Sequence, residues 1–221
     1  MKKVLLFLSF SLLSFGSMAQ LGTSAELGGS IGSSTGSISA SGFHNWGIGT
    51  KKKFYVGTGI RFTSFFGSNV NFTTAPANLT TDDKNIDTLT TANSGINSLN
   101  LTINLGYQIT EKLEIGFNID AIGFSFGSSH SSTYIRNGKQ SSSTAAATST
   151  NILLVGDNDK GSLNSHLHAR YQLSEHLGLK VAYQYLFNEL TTTTKIQTIP
   201  SENDRFRAKS GMLYVGVNYN F

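Results

Sequence analysis

Four long stretches of this chain alternate apolar and polar residues, and that alternation restricts the fold more than any other feature. Leu99, Leu101, Ile103, Leu105, Tyr107 and Ile109 occupy every second place, with Asn100, Thr102, Asn104, Gly106 and Gln108 between them. Leu163, Leu167, Ala169, Tyr171 and Leu173 repeat the pattern against Asn164, His166, His168, Arg170 and Gln172. Leu177 to Phe187 and Leu213 to Phe221 follow the same rule. A period of two puts one side-chain class on each face of an extended strand. No window has the spacing of a long amphipathic helix, and no run of apolar residues is long enough for a spanning helix.

Composition agrees with strands joined by polar loops. Charged residues make up only 14% of the chain, with 23 Gly and 2 Pro. Without cysteine there is no disulfide framework, thiol chemistry or thiolate metal site. The first residues read as a secretory signal over 1–19: Lys2 and Lys3, an apolar core from Val4 to Phe15, and Ser17-Met18-Ala19 as a small-residue cleavage site. Its core of about a dozen residues is too short to span a bilayer. Removing it leaves 15 basic against 13 acidic residues, so the basic balance is no nucleic-acid footprint.

The polar punctuation falls into two classes. Short turns are expected at about 49–52, 110–112 and 174–176, and a repeat marks two of them: Tyr107-Gln-Ile-Thr-Glu-Lys-Leu113 matches Tyr171-Gln-Leu-Ser-Glu-His-Leu177. Long connections rich in Ser, Thr, Asn and Asp lie at 67–96, 128–160 and 192–204, with a tighter one near 33–37. Short turns on one side and long loops on the other predict an eight-stranded antiparallel up-and-down transmembrane β-barrel over 20–221. Its strands are expected at 22–32, 37–48, 53–66, 97–109, 113–127, 161–173, 177–190 and 205–221. The fifth strand slips phase between Ile119 and Ile122, which requires a bulge near Ala121 or strand emerging above the membrane.

A soluble lipocalin-like barrel would share the strand count and alternation but turn its apolar face inward. Two features favour the membrane alternative. The polar faces carry Asn, Gly, Thr and Gln rather than the Lys and Glu of a water-facing surface. Trp46, Tyr107, Tyr171, Tyr219 and Phe221 all fall on apolar faces near the short turns, as one rim of an aromatic girdle, with Phe62, Phe66, Tyr185 and Phe187 as the other. With its terminal Phe221, the final alternating strand resembles that of the small outer-membrane barrel family of OmpA-like and OmpX-like domains. The resemblance implies a Gram-negative outer membrane, contact with its lipid, and recognition of the C-terminal strand by the barrel-assembly machinery.

The alternation turns Glu26, Arg61, Asp120, His166, His168, Arg170 and Lys180 into the lumen. Eight strands enclose a space that side chains fill, so these residues are expected to form a plug of ion pairs and hydrogen bonds. The alternative is a narrow proton or ion path with His as its titrating element. His166-x-His168 is read as a hydrogen-bonded interior pair rather than a metal site, and no cofactor is expected. His130, flanked by Ser129, Ser131 and Ser132, with Asp157 and Asp159 across the loop, offers at most a lipid-active triad. No nucleophile elbow supports one, and no enzymatic activity is expected. A structural or surface-interaction role remains, through an extracellular ligand at 67–96 and 128–160, with a small pore or ligand carrier as the alternative. Those loops are expected to be flexible and solvated, with a hairpin above the membrane as the alternative for 128–160.

Overall fold

The computed structural model describes residues 19–154 and 156–221, so the proposed signal lies almost wholly outside the described residues. Eleven strands form one antiparallel sheet: β1 Ala19–Ile31, β2 Thr35–Ile48, β3 Phe54–Thr74, β4 Thr88–Gln108, β5 Leu113–Phe126, β6 His130–Arg136, β7 Lys139–Ala147, β8 Thr150–Ile152, β9 Leu163–Gln172, β10 Leu177–Thr192 and β11 Arg205–Asn220.

Eight of them close a ring in chain order: β1–β2–β3–β4–β5–β9–β10–β11 and back to β1. Closure runs from Ser24↔Asn220 to Ile31↔Leu213, which leaves neither terminal strand with a free edge there. The phase slip in β5 is a bulge. Leu101 pairs with Ile122 and Thr102 with Asp120, leaving Ala121 as the extra residue. Above it Ile122, Phe124 and Phe126 face outward, as Ile115 and Phe117 do below it.

The expected long loops are largely sheet. β3 runs on to Thr74 and β4 begins at Thr88, so the connection predicted at 67–96 shrinks to residues 75–87. The 128–160 stretch contains the β6–β7 hairpin and β8. Neither is a flexible solvated loop. The physical reason is a second closure. β1 and β2 end at the turn of residues 32–34, and directly above it β3 meets β11, with Thr74↔Phe206 and Thr73↔Arg207. β6 pairs with β4 and β7 with β10, replacing β5 and β9. A six-stranded ring, β3–β4–β6–β7–β10–β11, therefore stands on the eight-stranded one.

The extension has its own core. Phe72, Leu89 and Tyr134 pair directly across β3, β4 and β6, and Tyr134 meets Phe206 edge-on at 6.0 Å. Phe65, Val70, Ile96, Ala145, Leu186, Leu190, Ala208 and Met212 complete the cluster. To place these side chains inside, the inward positions change parity at Asn69 on β3 and at Ala92 and Asn93 on β4, while the register between the strands stays unbroken. At the β3 slip Asn69 takes the left-handed backbone conformation, φ 51°, which asparagine tolerates better than most residues.

Candidate functional site

The lumen is built by the inward positions of the eight strands, and all seven residues assigned to it by the alternation do point there. Glu26, Arg61, Asp120, His166, His168 and Lys180 are buried, and Arg170 is nearly so. They are joined by residues the sequence reading passed over, chiefly Glu114, Tyr55, Tyr214 and a set of asparagines. Glu114 shares its parity with Asn118 and Asp120 on β5, so the alternation already contained the signal.

From the short-turn end upward the lumen is a stack of neutralised charges. At the bottom, a polar vestibule of about 350 Å³ opens between the short turns and is lined by Thr23, Asn45 and Glu175, among others. Glu114 forms its inner wall, accepting hydrogen bonds from the Tyr55 hydroxyl and the Arg170 guanidinium, each at 2.7 Å. His168 Nε2 lies 3.8 Å from the same carboxylate. A Cβ on Gly106 would collide with the Tyr55 ring, so glycine is what lets that ring cross the lumen to Glu114.

One level up, Lys180 donates to Glu26 at 2.9 Å, and Tyr214 donates to the same oxygen at 3.1 Å. Above that pair Arg61 faces Asp120 at 3.3 Å. Asp120 also accepts from Asn100 at 2.8 Å, Thr102 at 2.9 Å and the Asn164 backbone at 3.1 Å. Arg61 donates in turn to the Asn164 carbonyl at 3.2 Å and to the Asn118 side chain. A buried charge tolerates this position only when paired and hydrogen-bonded, and each of these is.

His166 departs from expectation. Neither of its ring nitrogens has a hydrogen-bond partner among the described residues, so His166 and His168 do not form a hydrogen-bonded pair. The His166 ring packs on Tyr214 instead, centroids 4.4 Å apart. No group of three potential metal ligands occurs among the described residues. His130 is drawn away from the proposed triad. Its Nε2 lies 3.0 Å from the Gly95 carbonyl, and Asp157 pairs with Lys209 at 3.1 Å.

The outer wall is the reverse of the lumen. Leu27, Ile60, Leu101, Ile103, Phe117, Leu179, Val215 and Val217 project outward with 38–62% of their surface exposed. Tyr107, Tyr171, Tyr219 and Phe221 ring the short-turn end of this belt, all exposed, with Trp46 half-buried against His44 at 4.8 Å. Phe62, Phe66 and Tyr185 stand at the opposite end, also exposed. A polar, charged interior inside an apolar wall excludes the soluble barrel, whose faces are the other way round. The chain folds as a transmembrane β-barrel.

No family model matches the chain, and no curated protein does. Solved structures do. Neisserial surface protein A is 13% identical with a TM-score of 0.40, over 90% of this chain and 94% of that one. Ail, the attachment invasion locus protein of Yersinia pestis, solved in complex with the heparin analogue sucrose octasulfate, is 10% identical with a TM-score of 0.39, over 92% and 100%. A de novo designed transmembrane β-barrel is 11% identical with a TM-score of 0.35, over 92% and 99%. The similarity is one of fold.

Proposed function

We propose that this is a surface protein of the Gram-negative outer membrane, exported on a cleaved signal, whose working part is the six-stranded extracellular extension. The observation that carries this reading is the apolar core closing the lumen. Phe72, Leu89, Leu190 and Phe206 are all fully buried across the space a transported solute would have to cross. A closed barrel that raises a rigid, packed wall above the bilayer is suited to presenting a surface. Outer-membrane lipid against the apolar belt and assembly machinery acting on β11 are the further partners the reading implies.

The role is a non-enzymatic one, supported by the engagement of His130 with the Gly95 backbone and of Asp157 with Lys209. The periplasmic vestibule is the feature that favours a pore or ligand carrier. The core above it and the three neutralised pairs argue against conduction. Replacing residues 69–92 and 128–160 by short turns is expected to leave the barrel in the outer membrane and to abolish whole-cell binding to extracellular surfaces. Retention of every binding phenotype, or a bilayer conductance well above background for the intact protein, would defeat the reading.

A further inference from the structure

The outer wall of the extension is divided by chemistry. On the β10–β11 side it carries Arg205 and Lys209, paired with Glu189 and Asp157, above a buried Glu189–Arg207 pair that also reaches the Asp159 carbonyl. On the other side, across β3, β4, β6 and β7, the outward positions between the apolar belt and the hairpin tips bear no charge. Asn71, Thr90, Thr133 and Ser142 stand side by side on those four strands, each directly opposite the next. With neighbouring strands about 4.8 Å apart, they form a row of hydroxyl and amide groups roughly 14 Å long, within which Thr90 donates to Asn71 at 2.7 Å. A shallow cleft of about 630 Å³ is lined by three of them, Thr90, Thr133 and Ser142, and flanked by Ser131 and Thr144. Next to it, at the parity slip, a second cleft of about 470 Å³ is lined by Ser33, Ser68 and Asn93, beside the half-exposed ring of Phe66.

We propose that this face holds an uncharged sugar chain anchored in the same membrane leaflet. Ser and Thr hydroxyls each donate and accept, and amides offer both functions, so the array matches the hydroxyls of a sugar and has nothing to pair with an anion or cation. An aromatic ring beside the hydroxyls adds an apolar platform for the hydrogen-bearing face of a sugar. The position of the face selects the source. The Phe66 cleft starts at the upper rim of the apolar belt, and the row lies on a side wall whose strands rise away from the membrane. A chain rooted in that leaflet runs along this wall. A partner approaching from outside first meets the tips, where Asp82, Lys84, Lys195 and Glu202 are exposed and charged.

The inference rests on the extension being the working surface and specifies what one side of it binds. Because the chain has no cysteine, single labels are clean. Ser142→Cys on the neutral face and Lys209→Cys on the charged face each carry a fluorophore, in the full-length barrel in lipid nanodiscs. The discs contain phospholipid alone, added lipopolysaccharide with an uncharged O-chain, or the same lipid cut back to lipid A. Accessibility to an aqueous quencher is expected to fall at Ser142 with the O-chain lipid only and to stay level at Lys209. Adding the exposed change Thr144→Glu should restore it while the heat-dependent gel shift is unchanged. Equal protection at both sites, no protection at Ser142, or protection insensitive to Thr144→Glu would overturn the proposal. Equal protection by free dextran would overturn the leaflet as source. Loss of whole-cell binding on removing the extension, with no O-chain protection, would sink this inference alone.

Discussion

Phe72→Ala tests whether the extension is a packed unit that seals the lumen. Phe72 is fully buried, opposite Leu89 and within the cluster that includes Tyr134 and Phe206. Deleting its ring leaves a cavity that the surrounding strands fill only in part, and such truncations cost about 3–5 kcal/mol. The loss should fall on local opening of the upper ring, because its closing pairs, such as Thr74↔Phe206 and Leu190↔Ala147, lie above the eight-stranded ring. Since about 1.4 kcal/mol is a factor of ten, amides of β6 and β7 should exchange with solvent roughly a hundred- to several-thousand-fold faster. Hydrogen exchange read by mass spectrometry measures this peptide by peptide. The amides of β9, from Leu163 to Gln172, should keep their protection, and Thr144→Ala on the exposed face should change neither region. Unchanged exchange in β6 and β7, or an equal rise in β9, would refute the argument that the core belongs to a distinct upper ring.

Three further outcomes follow from the same geometry. Glu26→Gln strands Lys180 in a buried site and should cost about 3–5 kcal/mol in urea unfolding from lipid vesicles, while Glu26→Gln with Lys180→Met should recover most of it; two equally destabilised variants would show that the pair is not a unit. Val215→Lys on the lipid-facing wall should cost about 2–4 kcal/mol in the same assay if it lies near the bilayer midplane, whereas lysine at the exposed Thr144 should have no measurable effect. Burial, followed by the 2.5 Å hydrogen bond to Asp87, pushes the Tyr134 hydroxyl up to about 12. Folding therefore favours its protonated form: the stabilisation is whole below the ordinary tyrosine value of about 10 and disappears as pH rises through 12. Tyrosinate absorbance of the wild type minus Tyr134→Phe should show a single group titrating near the upper value, and one titrating near 10 would contradict the buried bond.

The part of the barrel inside the membrane was legible because each strand there obeys one local rule. Period-two alternation assigned Glu26, Arg61, Asp120, His166, His168, Arg170 and Lys180 to the lumen, and the structure puts them there. A single break in the rule, between Ile119 and Ile122, left a bulge or an emerging strand open, and the pairing of β4 with β5 makes it a bulge at Ala121. Pair assignments were not legible. That Arg61 meets Asp120 and Lys180 meets Glu26 depends on which strands face each other across the lumen. The bare ring of His166 likewise reflects its Tyr214 neighbour, 48 residues further along the chain.

Sequence alone determined the eight strands of the lower ring and the direction of their faces, since a lipid-facing wall imposes the same alternation wherever the chain crosses. Only the tertiary structure decided what lies above. In the extension the alternating runs are as short as Val70 to Phe72, the composition of Ser141 to Ala147 gives no apolar signal, and the parity slips at Asn69 and Ala92 erase the period between them. What makes those segments strands is pairing with distant partners: Phe206 against Thr74, Ala147 against Leu190, Tyr134 against Leu89. Such contacts join segments far apart in the chain, so no local pattern reports them, and the apolar core they enclose is what closes the lumen.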